Sequence, residues 1–223
     1  MRTKLIGAAL LAAMSSTALA GGNLVTNGSF ETPGPGFVLF QGWENYGNVF
    51  ADMSDEVAAQ EGMTSVKMFG GFPGPGIQSD SVLLQTVPGI AAGTTYTLTG
   101  YAFENSADPI GDGNLLILQL AFRDAGGNNL EVIDQIVLEN GAAVDQWNQY
   151  EITAIAPPNT TQAAVVLLHL QLDGTSPGAS YWDNISLTEG GGSGCNNPAD
   201  FNGDGVLNFF DISEFIGAFN QGC

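Results

Sequence analysis

The chain has 223 residues, 44% of them hydrophobic, and carries 23 acidic side chains against four basic ones, for a formal net charge of −19. Such a length suits one full-sized domain with a small appendage, and the apolar fraction is ample for a packed core. The charge repels nucleic acid and anionic membrane surfaces, which argues against any polyanionic partner.

The first twenty residues, MRTKLIGAALLAAMSSTALA, run from two positive charges through an apolar stretch to small residues ending in Ala-Leu-Ala. That is the pattern of a secretory signal peptide spanning 1–20, with cleavage expected after Ala20 and a secreted or cell-surface destination. Its apolar run is too short to cross a bilayer comfortably, and no other stretch is long enough, so no membrane span is expected. Cleavage would remove Arg2 and Lys4, taking the net charge from −19 to −21 and leaving Lys67 and Arg123 as the bases. Solvent, salt or bound cations must then balance the carboxylates. Calcium is the obvious extracellular cation, while a general acidic surface is the plainer reading.

From Asn23 to Leu187, short apolar or alternating runs are separated by Gly, Pro, Asn and Asp. Strands are predicted at 65–69, 81–87, 94–103, 114–123, 130–138, 149–156, 163–172 and 180–187. With turn signals at this spacing and no long helical period, the pattern predicts an all-β sandwich over residues 21–188. The segment MSDEVAAQEG (53–62) reads as a single turn of helix or a loop, and the two PGPG stretches at 33–36 and 73–76 read as semi-rigid surface loops. EGGGSG at 189–194 reads as a flexible linker, so a domain boundary is expected there, with 195–223 as a second unit.

The segments NLVTNGSFE (23–31), GW (42–43) and QEGMTSVKMF (60–69), with TYTLTGYAF (95–103) and SYWDNISL (180–187), give the domain a resemblance to carbohydrate-binding modules of the 4/9/22 type. The resemblance implies a galactose-binding-like β-jelly roll of two antiparallel sheets. It also implies a structural calcium where the chain ends meet, with Glu31 and Asp183 supplying side-chain oxygens and backbone carbonyls completing the shell. Calcium takes six to eight oxygens, and tying the first segment to the last resists fraying; simple strand-end carboxylates are the alternative. Trp43, Trp147 and Trp182 fall where the family places core tryptophans.

Modules of this family bind sugars with aromatic and amide side chains. Alternation along TYTLTGYAF turns Tyr96, Leu98 and Ala102 to the core and leaves Tyr101 and Phe103 outward. Along AAVVLLHLQL, Ala164, Val166, Leu168 and Leu170 point one way, and Val165, Leu167, His169 and Gln171 the other; Gln119 interrupts LLILQLAF similarly. Tyr101, Phe103, Gln119, His169 and Gln171 are therefore the candidate sugar-binding residues. The scarcity of Arg and Lys points to a neutral polysaccharide or cell-surface glycan. No paired-carboxylate cluster, nucleophile elbow or triad context is present, so a non-catalytic protein is expected. The rival reading is a structural or adhesive surface protein that binds no sugar.

The most specific motif lies in the tail, in ADFNGDGVLNFFD at 199–211. Asp200, Asn202 and Asp204 occupy positions 1, 3 and 5 of a twelve-residue calcium loop, Gly205 allows its sharp turn, and the Val206 carbonyl, Asn208 and Asp211 fall at positions 7, 9 and 12. Asp211 stands where Glu is preferred, and its shorter reach implies weaker binding. Behind the loop, Ile212, Phe215, Ile216 and Phe219 form a helical apolar stripe. Loop and helix resemble a single dockerin-type, EF-hand-like repeat, which implies attachment to a cohesin-like or surface protein; a dockerin carries two repeats, and this chain has one. Cys195 and Cys223 bracket the repeat, and in an exported chain they are expected to pair, which would contribute about 3–4 kcal/mol in the chain-entropy model. Two free thiols are the other possibility.

Overall fold

Residues that alternate between a water-facing and a core-facing side form ten strands among the described residues of this computed structural model, which describes 22–190 and, in the tail, Ile212, Ser213, Phe215 and Ile216. The strands are β1 (Glu44–Tyr46), β2 (Asn48–Asp52), β3 (Ser65–Phe69), β4 (Ser79–Pro88), β5 (Thr95–Glu104), β6 (Asn114–Arg123), β7 (Asn129–Glu139), β8 (Asn148–Ile155), β9 (Gln162–Gln171) and β10 (Ala179–Glu189). All pairings are antiparallel and build two five-stranded sheets, β1-β4-β9-β6-β7 and β2-β3-β10-β5-β8. The fold is an all-β jelly-roll sandwich. The eight strands expected from sequence are present. β1 and β2 are additional and split by Gly47; β1 has three residues, and NVFAD of β2 does not alternate in burial. The segment 53–62 is a loop without helix. β10 runs through Glu189, and the Gly190 amide still donates to the Thr95 carbonyl at 2.8 Å, so the sandwich extends further than the expected boundary.

The core lies between the sheets. Leu116, Leu118, Leu120 and Phe122 of β6 face Leu98 and Trp182 of the other sheet, with Leu83, Val165 and Leu167 filling between them. Beside β1, Phe30 packs at 5.1 Å from Phe40 and 5.3 Å from Trp43. Burying side chains of this size contributes about 1.5–3 kcal/mol each. Polar groups also lie inside, near the start of β4. His169 Nδ1 lies 2.9 Å from the Ser180 hydroxyl, the Gln171 amide donates to the Ser176 carbonyl at 2.8 Å, and its oxygen accepts the Phe72 amide. Gly70 is required there, because a Cβ would fall 2.1 Å from the Gln171 carboxamide.

β10 carries a bulge between Asp183 and Ser186, opposite Gly100 of β5. The extra residue lets Asp183 face outward while Ile185 returns to the core, into space that a side chain at position 100 would fill. The expected signal peptide, Gly191–Gly194 of the linker, the cysteines Cys195 and Cys223, and the calcium loop with Asp200, Asn202, Asp204, Val206, Asn208 and Asp211 lie outside the described residues. The four described tail residues are helical. No described helix is long and apolar enough to cross a membrane.

Candidate functional site

The outward face of the β2-β3-β10-β5-β8 sheet is aromatic. Successive strands place Phe50, Lys67, Tyr181 and Phe103 side by side in one row. Phe103 packs on Trp147 at 5.3 Å and on Tyr181 at 6.1 Å. The loop 53–64 covers that half of the row, since Val57 packs against Tyr181 and the Trp147 indole N–H donates to the Ala58 carbonyl at 2.9 Å. The other half is open. Phe50 and Phe69 stack at 5.3 Å with planes 5° apart, and Phe69 continues to Phe72 at 6.4 Å. Phe50 and Phe72 are about half exposed (46% and 49%), an unusual position for rings in water.

An open groove of about 320 Å³ runs beside this stack, lined by Phe50, Ala51, Asp52, Asp55, Glu56, Lys67 and Phe69. Lys67 Nζ lies 2.5 Å from Glu56 and about 6 Å from the ring centres of Phe69 and Tyr181. The Lys67 hydrogen bond holds the Glu56 carboxyl below the usual carboxylate range, helped by the Tyr181 hydroxyl at 3.1 Å. Asp52 is buried, and its two oxygens accept the amides of Asp55, Glu56 and Val57. It fixes the start of the loop and takes no other part in the groove.

The far end of the same loop is held by Glu31 and Asp183. Asp183 accepts the Gln60 and Glu61 amides at 2.8 and 2.9 Å on one oxygen and the Asn184 amide at 2.7 Å on the other. Glu31 accepts the Met63 and Thr64 amides at 2.9 and 2.7 Å. Between them stands Gly62 at φ +70°, where a Cβ would meet the Glu31 carboxylate at 2.5 Å. Burial pushes the Asp183 carboxyl up to about 6, and the neighbouring Glu31 charge adds to the rise. Asp183 is fully buried and Glu31 lies exposed beside it; two neighbouring carboxylates that repel one another suit a divalent cation, and each retains lone pairs beyond its amide bonds. Among the described residues no third His, Cys, Asp or Glu joins them, so the remaining ligands would be carbonyl or water oxygens.

The sequence-derived sugar residues do not share one surface. Tyr101 and Phe103 face outward on the aromatic sheet, with Phe103 under the loop. Gln119 lies on the outward face of the other sheet, where its amide donates to Asp134 at 2.6 Å. His169 and Gln171 are fully buried in the polar interior, and burial lowers the His169 pKa to about 4. The orientation expected for β9 is therefore inverted: Val165, Leu167, His169 and Gln171 point between the sheets, and Ala164, Val166 and Leu168 lie on the outer face, where Ala164 and Val166 are still buried among Ala121, Val82 and Leu84. Sequence reasoning missed Phe50, Phe69 and Phe72. The alternation in SVKMF carries the signal, since buried Val66 and Met68 oblige Lys67 and Phe69 to face out.

No protein-family model matches the chain, and no curated protein matches it. Solved structures share its fold. The enzymatically active domain of bacteriophage CBA120 tailspike protein 4 superposes with a TM-score of 0.54 at 16% identity, over 75% of this chain and 21% of that one. A Stig cyclase from Fischerella sp. TAU, in complex with (3Z)-3-(1-methyl-2-pyrrolidinylidene)-3H-indole, gives 0.53 at 18% identity over 77% and 98%. A family 61 carbohydrate-binding module in complex with β-1,4-galactotriose gives 0.47 at 18% identity over 75% and 98%. The chain thus spans about a fifth of the tailspike domain's length. At these identities the likeness establishes the sandwich alone.

Proposed function

We propose that this is an exported, non-catalytic carbohydrate-binding protein that holds a neutral polysaccharide or cell-surface glycan against the Phe50–Phe69 stack. The observation that carries the reading is the pair of parallel rings, half open to water, beside a groove lined with oxygen acceptors. Pyranose C–H faces pack on such rings, and the carboxylates of Asp55 and Glu56 can accept sugar hydroxyls. Lys67 is tied to Glu56, so the groove has no free cation for an acidic sugar. The same pairing supports a non-catalytic role. A glycosidase acid needs a raised pKa, whereas Glu56 is held low and Asp52 is occupied by backbone amides.

The reading includes a calcium ion held by Glu31 and Asp183, which would neutralise the pair and brace the loop that borders the groove. It also includes calcium in the Asp200–Asp211 tail loop, with that dockerin-like unit serving attachment to a cohesin-like or surface protein. Glycan-array binding of the chain, with and without calcium, tests the sugar assignment. Binding to a neutral glycan is expected, weakened at least about tenfold in Phe50→Ala while the melting temperature holds within a few degrees. Failure to bind any neutral glycan at any calcium level would favour a structural or adhesive role.

A further inference from the structure

The outward face of the other sheet has different chemistry. Strand register sets Tyr46, Val82, Leu168, Ile117 and Ile136 in one row across all five strands, from β1 to β7. Every member is apolar or aromatic, and the two ends, Tyr46 and Ile136, are 55% and 53% exposed. Four interstrand gaps make this lane about 19 Å long, the length of roughly 13 residues of α-helix. The rows on either side end in carboxylates. One runs from Glu44 through Leu84, Val166 and Gln119 to Asp134, and the other from Asp80 through Leu170 and Leu115 to Glu139. An apolar lane therefore has an acid at each of its four corners.

Among the described residues none of these corners has a cationic partner. Asp134 takes a hydrogen bond from Gln119, Glu44 from the Tyr46 hydroxyl and Asp80 from Gln78, all neutral donors. Lys67 is on the opposite sheet with Glu56, and Arg123, at the end of β6, donates to Asn129. We propose that this lane is a docking site for a basic amphipathic helix of a partner protein, with an apolar stripe on the row and Lys or Arg reaching the corners. The charge pattern argues against the other occupants. A second copy would bring the same four acids, and the chain's own tail stripe is flanked by Asp211 and Glu214. The lane has one aromatic, at its end, and so offers little for a pyranose to stack on. This proposal is independent of the glycan reading, which concerns the opposite sheet.

Fluorescence anisotropy of the chain with a labelled Leu/Lys peptide of about 14 residues, its leucines at helical spacing, tests the site. Binding is expected to weaken at least about tenfold for a Leu/Glu counterpart, for a Leu/Lys scramble of equal composition, and in an Asp80→Asn/Asp134→Asn/Glu139→Gln variant. Ile136→Asn, at the exposed end, should weaken it similarly while leaving melting unchanged, and a neutral glycan should not compete. Equal affinity for the scramble, or for Ile136→Asn and Ile117→Asn, would overturn the proposal. A dimer that Ile136→Asn dissociates would assign the lane to a second copy, and tighter peptide binding after removal of 191–223 would assign it to the tail; either would overturn it.

Discussion

The two outward faces of the sandwich are built from different materials. On the β2-β3-β10-β5-β8 sheet the outward row is mostly rings, Phe50, Tyr181 and Phe103 with Lys67 among them, and a loop is fastened over half of it by three carboxylates, Asp52, Asp183 and Glu31, each accepting backbone amides. On the β1-β4-β9-β6-β7 sheet the central outward row is Val, Leu and Ile with one Tyr at its end, and carboxylates stand at the corners, three of them with neutral partners. In one place acidic side chains organise backbone; in the other they advertise charge. The comparison shows that a high acid count is not one property, since burial and hydrogen bonding decide what each carboxylate does.

The largest expected effect breaks the first face. Asp183→Ala leaves the Gln60, Glu61 and Asn184 amides without their acceptor, at about 1–3 kcal/mol each. A loss of roughly 3–5 kcal/mol in urea unfolding is expected, with new protease cleavage within 53–64 and no change in peptide binding on the opposite sheet. If Asp183 and Glu31 share calcium, chelator lowers the melting temperature of a calcium-saturated wild type, by an amount growing with the logarithm of free calcium, and leaves this variant's unchanged. A variant that keeps both its stability and its intact loop would show that the face is held by packing alone.

How far these faces were legible in the sequence follows from the same residues. Eight strands were visible because each alternates or runs apolar between turn signals. The outward position of Tyr101 and Phe103 was visible too, since Leu98 and Ala102 leave no choice of core side. β9 was not. Both of its faces are apolar over most of their length, so period 2 separates two sets without saying which is inside. His169 and Gln171 then looked like an outward mark, and only tertiary partners, Ser180, Ser176 and the Phe72 amide, explain polar groups in the interior. The ring stack also depended on long-range pairing, because Phe50 and Phe69 are brought together by the β2–β3 register and not by nearness in sequence.

The buried histidine adds a pH dependence from the interior, of opposite sign to that of Asp183, whose raised carboxyl pKa favours the folded state at low pH. An unfolded chain takes up a proton as the pH falls below about 6.5, whereas folded His169 resists until about 4. Its contribution is therefore fully present above the unfolded value and is lost as the pH falls from about 6.5 to 4, by at most roughly 3 kcal/mol. Denaturant titrations at several pH values should show this loss in wild type and a flatter profile in His169→Gln. An unchanged slope in the variant would assign the acid sensitivity to the carboxylates.

The smallest effects separate the faces most cleanly. Phe50 and Ile136 are 46% and 53% exposed, so truncating either removes only part of its transfer energy, under about 1 kcal/mol. Phe50→Ala also forfeits the stack on Phe69, worth about 0.5–1.5 kcal/mol, and should be the costlier of the two. Their binding consequences should be opposite. Phe50→Ala should lose the neutral glycan and keep the basic peptide, while Ile136→Ala should keep the glycan and weaken the peptide. Stability changes this small cannot unfold either sheet, so each loss would report on its own face. If both variants lost both ligands, the two surfaces would be one coupled site, and the different chemistry of the two sheets would have no separate functional meaning.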